Sequence, residues 1–193
     1  MSDDPDRRPG RRILVIGTSG SGKTTMAARL SHLLGCRHIE LDALYWGPQW
    51  THPPLDDFRR RVTEAIGPDR WVVDGNYSMV RDILWRRADT IVWLDFTLPV
   101  IMGRLLRRTL RRVLSREELW NGNRQELFEL FTRNSILWWA LTTYRRRRRE
   151  YPELFRRPEY RHLRVIRLRS PRAAASWLRE VAAAARATGP RTA

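Results

Sequence analysis

Between an apolar run, Ile13-Leu14-Val15-Ile16, and an amphipathic stretch that opens at Lys23 stand the residues Gly17-Thr18-Ser19-Gly20-Ser21-Gly22-Lys23-Thr24. They satisfy G-x-x-x-x-G-K-[ST] in full, and an apolar strand before with a helix after is the setting that motif requires. Gly17, Gly20 and Gly22 let the backbone curl without Cβ obstruction, so successive N–H groups point inward. The following helix adds its unpaired N–H groups and the positive end of its dipole, which together make a cradle for a polyphosphate. In such a cradle Lys23 is expected to reach the β and γ phosphates of ATP, and Thr24 to set its hydroxyl on Mg²⁺. The nucleotide-binding residues are therefore expected to be Gly17, Thr18, Ser19, Gly20, Ser21, Gly22, Lys23, Thr24 and the adjoining Thr25.

The rest of the chain alternates as a sheet built around this loop needs. Arg12–Ile16, Trp71–Val73 and Thr90–Leu94 read as wholly apolar, buried strands, whereas His38–Leu41 and Leu163–Leu168 alternate like half-covered edge strands. Helices are expected over Lys23–Leu34 (stopped by Gly35), Leu55–Ile66, about Ser78–Arg87, from Pro99 to about Val113, about Arg124–Arg149, and Pro171–Ala187. Strands alternating with helices argue for a parallel sheet covered on both faces. Placing the three apolar strands centrally gives a five-stranded P-loop α/β fold of order 2-3-1-4-5 in a single domain spanning 1–193. The segment 42–66 is its acceptor side, and an arginine-rich flap covers about 112–124.

Composition narrows the class. With 193 residues and 42% hydrophobic content the chain has a core of ordinary size. Its apolar runs fall far short of the roughly 20 residues of a membrane span. The N-terminal MSDDPDRRPGRR has no apolar signal region, and one cysteine, Cys36, permits no internal disulfide, so the cytoplasm is the expected location and no membrane partner is expected. The 37 basic residues are 36 arginines and Lys23. A GTPase needs an Asn-Lys-x-Asp motif, which a chain whose one lysine is Lys23 does not have, and a AAA-type motor needs more chain. Charge is uneven: residues 1–100 carry net +1, while 101–149 carry +9 and 150–193 carry +6. That excess raises a nucleic-acid reading.

In a doubly wound sheet the ligand crevice lies beyond the C-terminal strand ends. Asp42 follows strand 2 in LDALYW, Asp74 ends strand 3 in WVVDGNY, and Asp95 ends strand 4 in IVWLD. Asp42 is expected to contact the acceptor or a water on Mg²⁺, and Asp74 to hold the Mg²⁺ waters. Asp95 stands equally between a metal-side carboxylate and a helix cap or buried partner. The sequence does not rank Asp42 against Asp74 as the group that orients the acceptor. Arg104, Arg108 and Arg112 recur on one face of the helix leading into the flap, with Arg124 at its far end; a guanidinium there forks onto γ-phosphate oxygens. Arg81 is a candidate for an anionic group on the acceptor, and Arg169 for packing on the adenine. Trp46 and Trp50 are expected to wall a pocket for a flat or apolar substrate. Arg145–Arg149 reads as a solvated C-terminal helix end. The four histidines show no metal-ligand spacing and receive no role.

The motifs GTSGSGKTT, LDALYW, WVVDGNY, IVWLD, RLLRRTLRR, LWNGNR and RLRSPRAAASWL, spread from Arg12 to Leu178, together resemble the small bacterial P-loop kinases related to adenylate kinase. Among these they resemble the group known as DNA topology modulation, or FlaR-like, proteins. That resemblance implies a nucleoside-monophosphate-kinase-like fold, ATP with Mg²⁺, Asp42 on the acceptor side, and transfer to a small acceptor such as a nucleoside monophosphate. Asn76-Tyr77 stands where Phe-Pro-Arg usually follows the Asp-Gly step, leaving Arg81 as the cation for an acceptor phosphate. The expected activity is therefore ATP-dependent phosphoryl transfer by a monomer or homodimer. The alternative is an ATP-switched binder of nucleic acid or another polyanion through the basic second half.

Overall fold

The structure is a computed structural model and describes residues 8–115 and 136–188, with side chains described for 8–111 and 141–187. Five parallel strands, β1 (Arg12–Gly17), β2 (Arg37–Glu40), β3 (Trp71–Asp74), β4 (Thr90–Leu94) and β5 (Arg164–Leu168), lie in the order β2-β3-β1-β4-β5. Composition explains the order. Every residue of β3 and β4, and all of β1 after Arg12, is buried, whereas β2 and β5 alternate at the edges.

Seven α-helices are described: α1 (Lys23–Leu34), α2 (Leu41–Tyr45), α3 (Leu55–Ala65), α4 (Arg81–Arg87), α5 (Leu98–Ser115), α6 (Ile136–Phe155) and α7 (Pro171–Thr188). Strand periodicity sends Leu14, Ile16, Val73, Ile91 and Trp93 to one face, where Phe58 and Val62 of α3, Leu84 and Trp85 of α4, and Tyr151 and Leu154 of α6 cover them. Ile13, Val15, Val72, Val92 and Leu94 meet α1 and α7 on the other face through Met26, Ala27, Leu30, Trp177 and Val181. Each fully buried Val, Leu, Ile or Phe side chain among them contributes about 2 kcal/mol of transfer free energy. Asp74 shares the parity of Val72, so it faces α1 and the start of that helix.

After β2, α2 is followed by a 3₁₀ turn at Pro48–Trp50. Two elements differ from the sequence expectation. Another 3₁₀ turn, Ser78–Val80, precedes α4. More consequentially, α6 does not stop at Arg149 but continues through Pro152 to Phe155. Aromatic packing outweighs the proline: Tyr151 and Phe155 lie 5.6 and 5.9 Å from the Trp93 ring, and Phe155 stacks at 5.3 Å on Trp85. The expected flap begins inside α5, and its remainder, like the first part of the expected long helix, lies outside the described residues. Among the described residues no helix is long and apolar enough to cross a membrane.

Candidate functional site

The loop between β1 and α1 is built mainly by backbone. Gly22 caps α1 in a left-handed conformation (φ 92°), and Gly20 (φ 83°) lies so close to α5 that a Cβ there would stand 3.0 Å from the Ile101 carbonyl oxygen. Ser21 N–H donates to the Thr18 carbonyl at 3.0 Å, and the buried Ser21 Oγ has no hydrogen-bond partner among the described residues. Arg104 of α5 donates to the Ser21 carbonyl at 3.1 Å, with its guanidinium 5.2 Å from the Phe96 ring. Burial lowers the Lys23 pKa to about 8, against the opposing charge of Asp42 and then Asp74; Arg147 and Arg108 lower it further. An ammonium desolvated beside other cations gains most from an anion brought next to it. A left-handed glycine loop, an orphaned hydroxyl and this lysine fit a polyphosphate.

Thr24, the second residue of α1, donates its hydroxyl to Asp74 Oδ2 at 2.8 Å, while His38 Nε2 lies 2.8 Å from Asp74 Oδ1. The register pairs Glu40 with Asp74, so His38 and Glu40 fall on the Asp74 face of the sheet. No group of three His, Cys, Asp or Glu side chains capable of holding a metal occurs among the described residues. The hard oxygens of Thr24 and Asp74 are the pair that suits a Mg²⁺ ion carried in on a triphosphate. Asn76 staples β3 to the loop: its Oδ1 accepts from Gly17 N–H at 3.2 Å and from Tyr151 Oη at 3.3 Å, and its amide donates to the Gly17 carbonyl.

Asp95 is buried and paired with two arginines. Its carboxylate is 1% exposed and held by Arg148 Nε at 2.9 Å and Arg167 Nε at 2.8 Å, with Arg167 also stacked 4.3 Å over Trp93. Both oxygens are engaged by guanidinium groups, and Asp95 is not part of the cleft lining. It anchors α6 and β5 to the end of β4.

The loop opens into a cleft of about 1200 Å³, whose other end is lined by Glu40, Asp42, Trp46 and Trp50. Tyr77 donates its hydroxyl to Asp42 Oδ1 at 2.6 Å, and burial next to that carboxylate pushes the phenol pKa upward. Tyr45 sits within 4.7–5.5 Å of the rings of Trp46, His52, Phe58 and Tyr77, and binds α2 to α3 and to the stretch after β3. Trp46 and Trp50 stand 5.5 Å apart at 87°. Gln49 and Trp50 both have left-handed backbones (φ 54° and 57°), each costing about 1 kcal/mol or more. The turn is tied by Gly47 N–H to Thr51 O at 2.7 Å, and it holds the Trp50 indole at the cleft wall.

The arginines divide differently from expectation. Arg104 and Arg108 line the cleft as expected, and Arg111 joins them. Arg112 lies on α5 with its side chain outside the described residues, and Arg124 falls outside them altogether. Arg81 is absent from the cleft lining, pairs with Glu150 at 2.8 Å and lies 5.6 Å over Trp85. Arg169 is exposed and absent from the cleft lining, where Pro171, Ala174, Ala175 and Leu178 of α7 stand instead. The Arg145–Arg149 block lies inside α6 and not at its end, with Arg145, Arg146, Arg148 and Arg149 exposed as expected and Arg147 buried. Arg147 is buried and lines the cleft, desolvation lowering its pKa, while Arg148 clamps Asp95 and donates to Tyr144 Oη at 2.6 Å.

Four site residues escaped the sequence reading: His38, Asn76, Tyr77 and Arg147. Two had signals. His38 shares the parity of Glu40 on an edge strand placed beside strand 3. Arg147 occupies an interior position of the run Tyr144, Arg147, Tyr151, Leu154, spaced 3-4-3 and buried throughout.

Comparison with known proteins places this geometry in a recognisable fold. No known family profile matches the chain. An uncharacterized Bacillus subtilis protein, YqaC, is 28% identical over 123 residues, 63% of this chain and 68% of YqaC. Among solved structures, a gluconokinase from Sinorhizobium meliloti matches with TM-score 0.50 and 21% identity over 95% of this chain and 100% of its own. A sugar kinase from Janibacter sp. matches with 0.51 and 22% over 89% and 92%, and a shikimate kinase from Acinetobacter baumannii in complex with shikimate with 0.50 and 17% over 93% and 96%. At these identities the likeness shows the fold: the chain has the α/β architecture of the P-loop kinases.

Proposed function

We propose that this chain is an ATP-dependent phosphotransferase acting on a small-molecule acceptor, in the cytoplasm. The observation that carries the reading is one continuous cleft of about 1200 Å³, with the phosphate loop at one end and the Asp42, Trp46 and Trp50 wall at the other. ATP with Mg²⁺ supplies the transferable phosphoryl group and offsets its charge. The chain's own residues do the positioning. Backbone N–H groups of residues 19–24 hold the phosphates, Lys23 draws charge toward the terminal group, and Thr24 with Asp74 keeps hard oxygens where the metal belongs. Arg104, Arg108 and Arg147 close the cleft from two helices and replace water around the migrating group. Asp42, fixed by Tyr77, orients the acceptor and is the group near enough to take its proton.

Within the P-loop kinases, the motifs LDALYW and VVDGNY support placement beside the DNA topology modulation group. The alternative of a polyanion binder loses ground, because Arg147 and Arg148 of the five-arginine block turn inward to the cleft and to Asp95. The test is ADP release from Mg-ATP across a panel of small alcohols, sugars and nucleotides. Acceptor-dependent release that drops about 100-fold or more in Lys23→Ala supports the proposal. Release unaffected by any acceptor contradicts it.

A further inference from the structure

The segments that line the cleft differ in charge, and this bears on what the acceptor is, granted the phosphotransferase reading above. The cations that line the cleft are Lys23 and Arg29 of α1, Arg104, Arg108 and Arg111 of α5, and Arg147 of α6. The acceptor segment, residues 42–66, contributes Asp42, Trp46 and Trp50 to the lining and no cation, and Glu40 just before it lines the cleft too. Arginines of that segment and of the neighbouring α4 are directed elsewhere. Arg59 forks onto Asp82 at 3.0 and 2.7 Å, Arg60 bridges Asp57 and Glu64 at 3.1 Å, and Arg81 pairs with Glu150.

We infer that the acceptor is an uncharged alcohol with a flat apolar face, seated in the corner of Trp46 and Trp50 with its hydroxyl on Asp42, and not a phosphate monoester or a carboxylate. A phosphate or carboxylate at this end would face two carboxylates with no guanidinium from its own segment, and like charges at an interface cost heavily. The perpendicular indoles give a ring one stacking wall and one edge. Tyr77 occupies Asp42 Oδ1 at 2.6 Å, which leaves Oδ2 to accept from an incoming hydroxyl. Asp42 is also the carboxylate that acts most strongly on Lys23, which puts it beside the terminal phosphate. In the step that follows, the acceptor oxygen forms a bond to the γ-phosphorus as the bond from that phosphorus to the β,γ-bridging oxygen breaks. ADP leaves with that electron pair, and the hydroxyl proton passes to Asp42 and then to water. The products are ADP, the phosphate monoester of the alcohol and one proton.

The test is equilibrium binding by calorimetry, without nucleotide, using matched pairs: adenosine and AMP, thymidine and TMP, pyridoxine and pyridoxine phosphate, glucose and gluconate. The expected result is that the tightest ligand of the panel is uncharged and binds roughly tenfold or more tightly than its anionic partner. Trp50→Ala and Asp42→Asn are each expected to weaken it at least about fivefold, with thermal melting preserved in both and ATP affinity preserved in Trp50→Ala. The proposal is overturned if the tightest ligand is an anion, an outcome that Arg147→Gln would then abolish, or if no uncharged alcohol binds. ADP release separates the two readings. An alcohol that binds this way but never receives phosphate contradicts the phosphotransferase reading alone. An anion that is phosphorylated contradicts only the inference about the acceptor.

Discussion

The two ends of the cleft are made by different means. At the phosphate end the loop is shaped by main chain, set by left-handed glycines and fixed by a few contacts such as Arg104 to the Ser21 carbonyl. At the acceptor end everything is side chain, drawn from α2, the Pro48–Trp50 turn and the stretch after β3, and held by ring contacts and one hydroxyl–carboxylate bond. In the proposed function the first end meets a charge pattern shared by all nucleoside triphosphates, and the second has a shape that individual substitutions can re-specify. Bracing the whole is α6, tied to the sheet through Asp95 and to the loop through Tyr151 and Asn76.

Variants can sharpen or break this contrast. Asp95→Asn removes the charge between Arg148 and Arg167 and is expected to destabilise the fold by roughly 3 kcal/mol, the low end for a buried pair because Arg148 is 40% exposed. Urea unfolding measures it. A loss under about 0.5 kcal/mol means that α6 is not braced there. Asn76→Ala breaks the staple on both sides of Gly17 and is expected to cost about 2 kcal/mol. It should weaken ATP binding while leaving acceptor binding intact, and an acceptor-specific defect would undo the division between the two ends.

Lys23 gives a pH test of the phosphate end. Its pKa is about 8 in the folded protein against 10.5 ordinarily, so between these values the unfolded chain binds the extra proton. Stability contributed by this group therefore rises as pH increases from about 8 toward 10.5, where it levels off. Nucleotide binding restores the charge, so affinity falls as pH passes above about 8. Calorimetry in two buffers at pH 9 is expected to show uptake approaching one proton per ATP bound, near none at pH 7, and none at either pH in Lys23→Met. The smallest effect is Tyr77→Phe: losing its bond to Asp42 is expected to cut acceptor-dependent turnover about fivefold, with ATP affinity unchanged. Equal losses in both would contradict the contrast.

Why the fold was legible and half the site was not follows from the same distinction. Strand order came from which strands are apolar throughout, a property local to each segment, and the phosphate loop is one uninterrupted motif. Asp42, Asp74, Trp46, Trp50, Arg104 and Arg108 could be placed because each lies at a strand end, on a helix face or in a loop fixed by that order. Asn76 bonding to Gly17, 59 residues away, depends on a side-chain geometry that no local pattern encodes. Arg147 was obscured by its neighbours: five arginines in a row hide which one turns inward, although Tyr144, Tyr151 and Leu154 mark the buried stripe. The same masking made Asp95 ambiguous, because its partners Arg148 and Arg167 lie 53 and 72 residues on.

The most direct test of the account is where the γ-phosphorus of ATP goes. A phosphorus-31 spectrum of the protein with Mg-ATP and the alcohol panel is predicted to show a new phosphomonoester resonance growing in step with ADP, and lost in Lys23→Ala. Inorganic phosphate as the sole new species besides ADP, or ATP left unchanged beside every acceptor, would contradict the account.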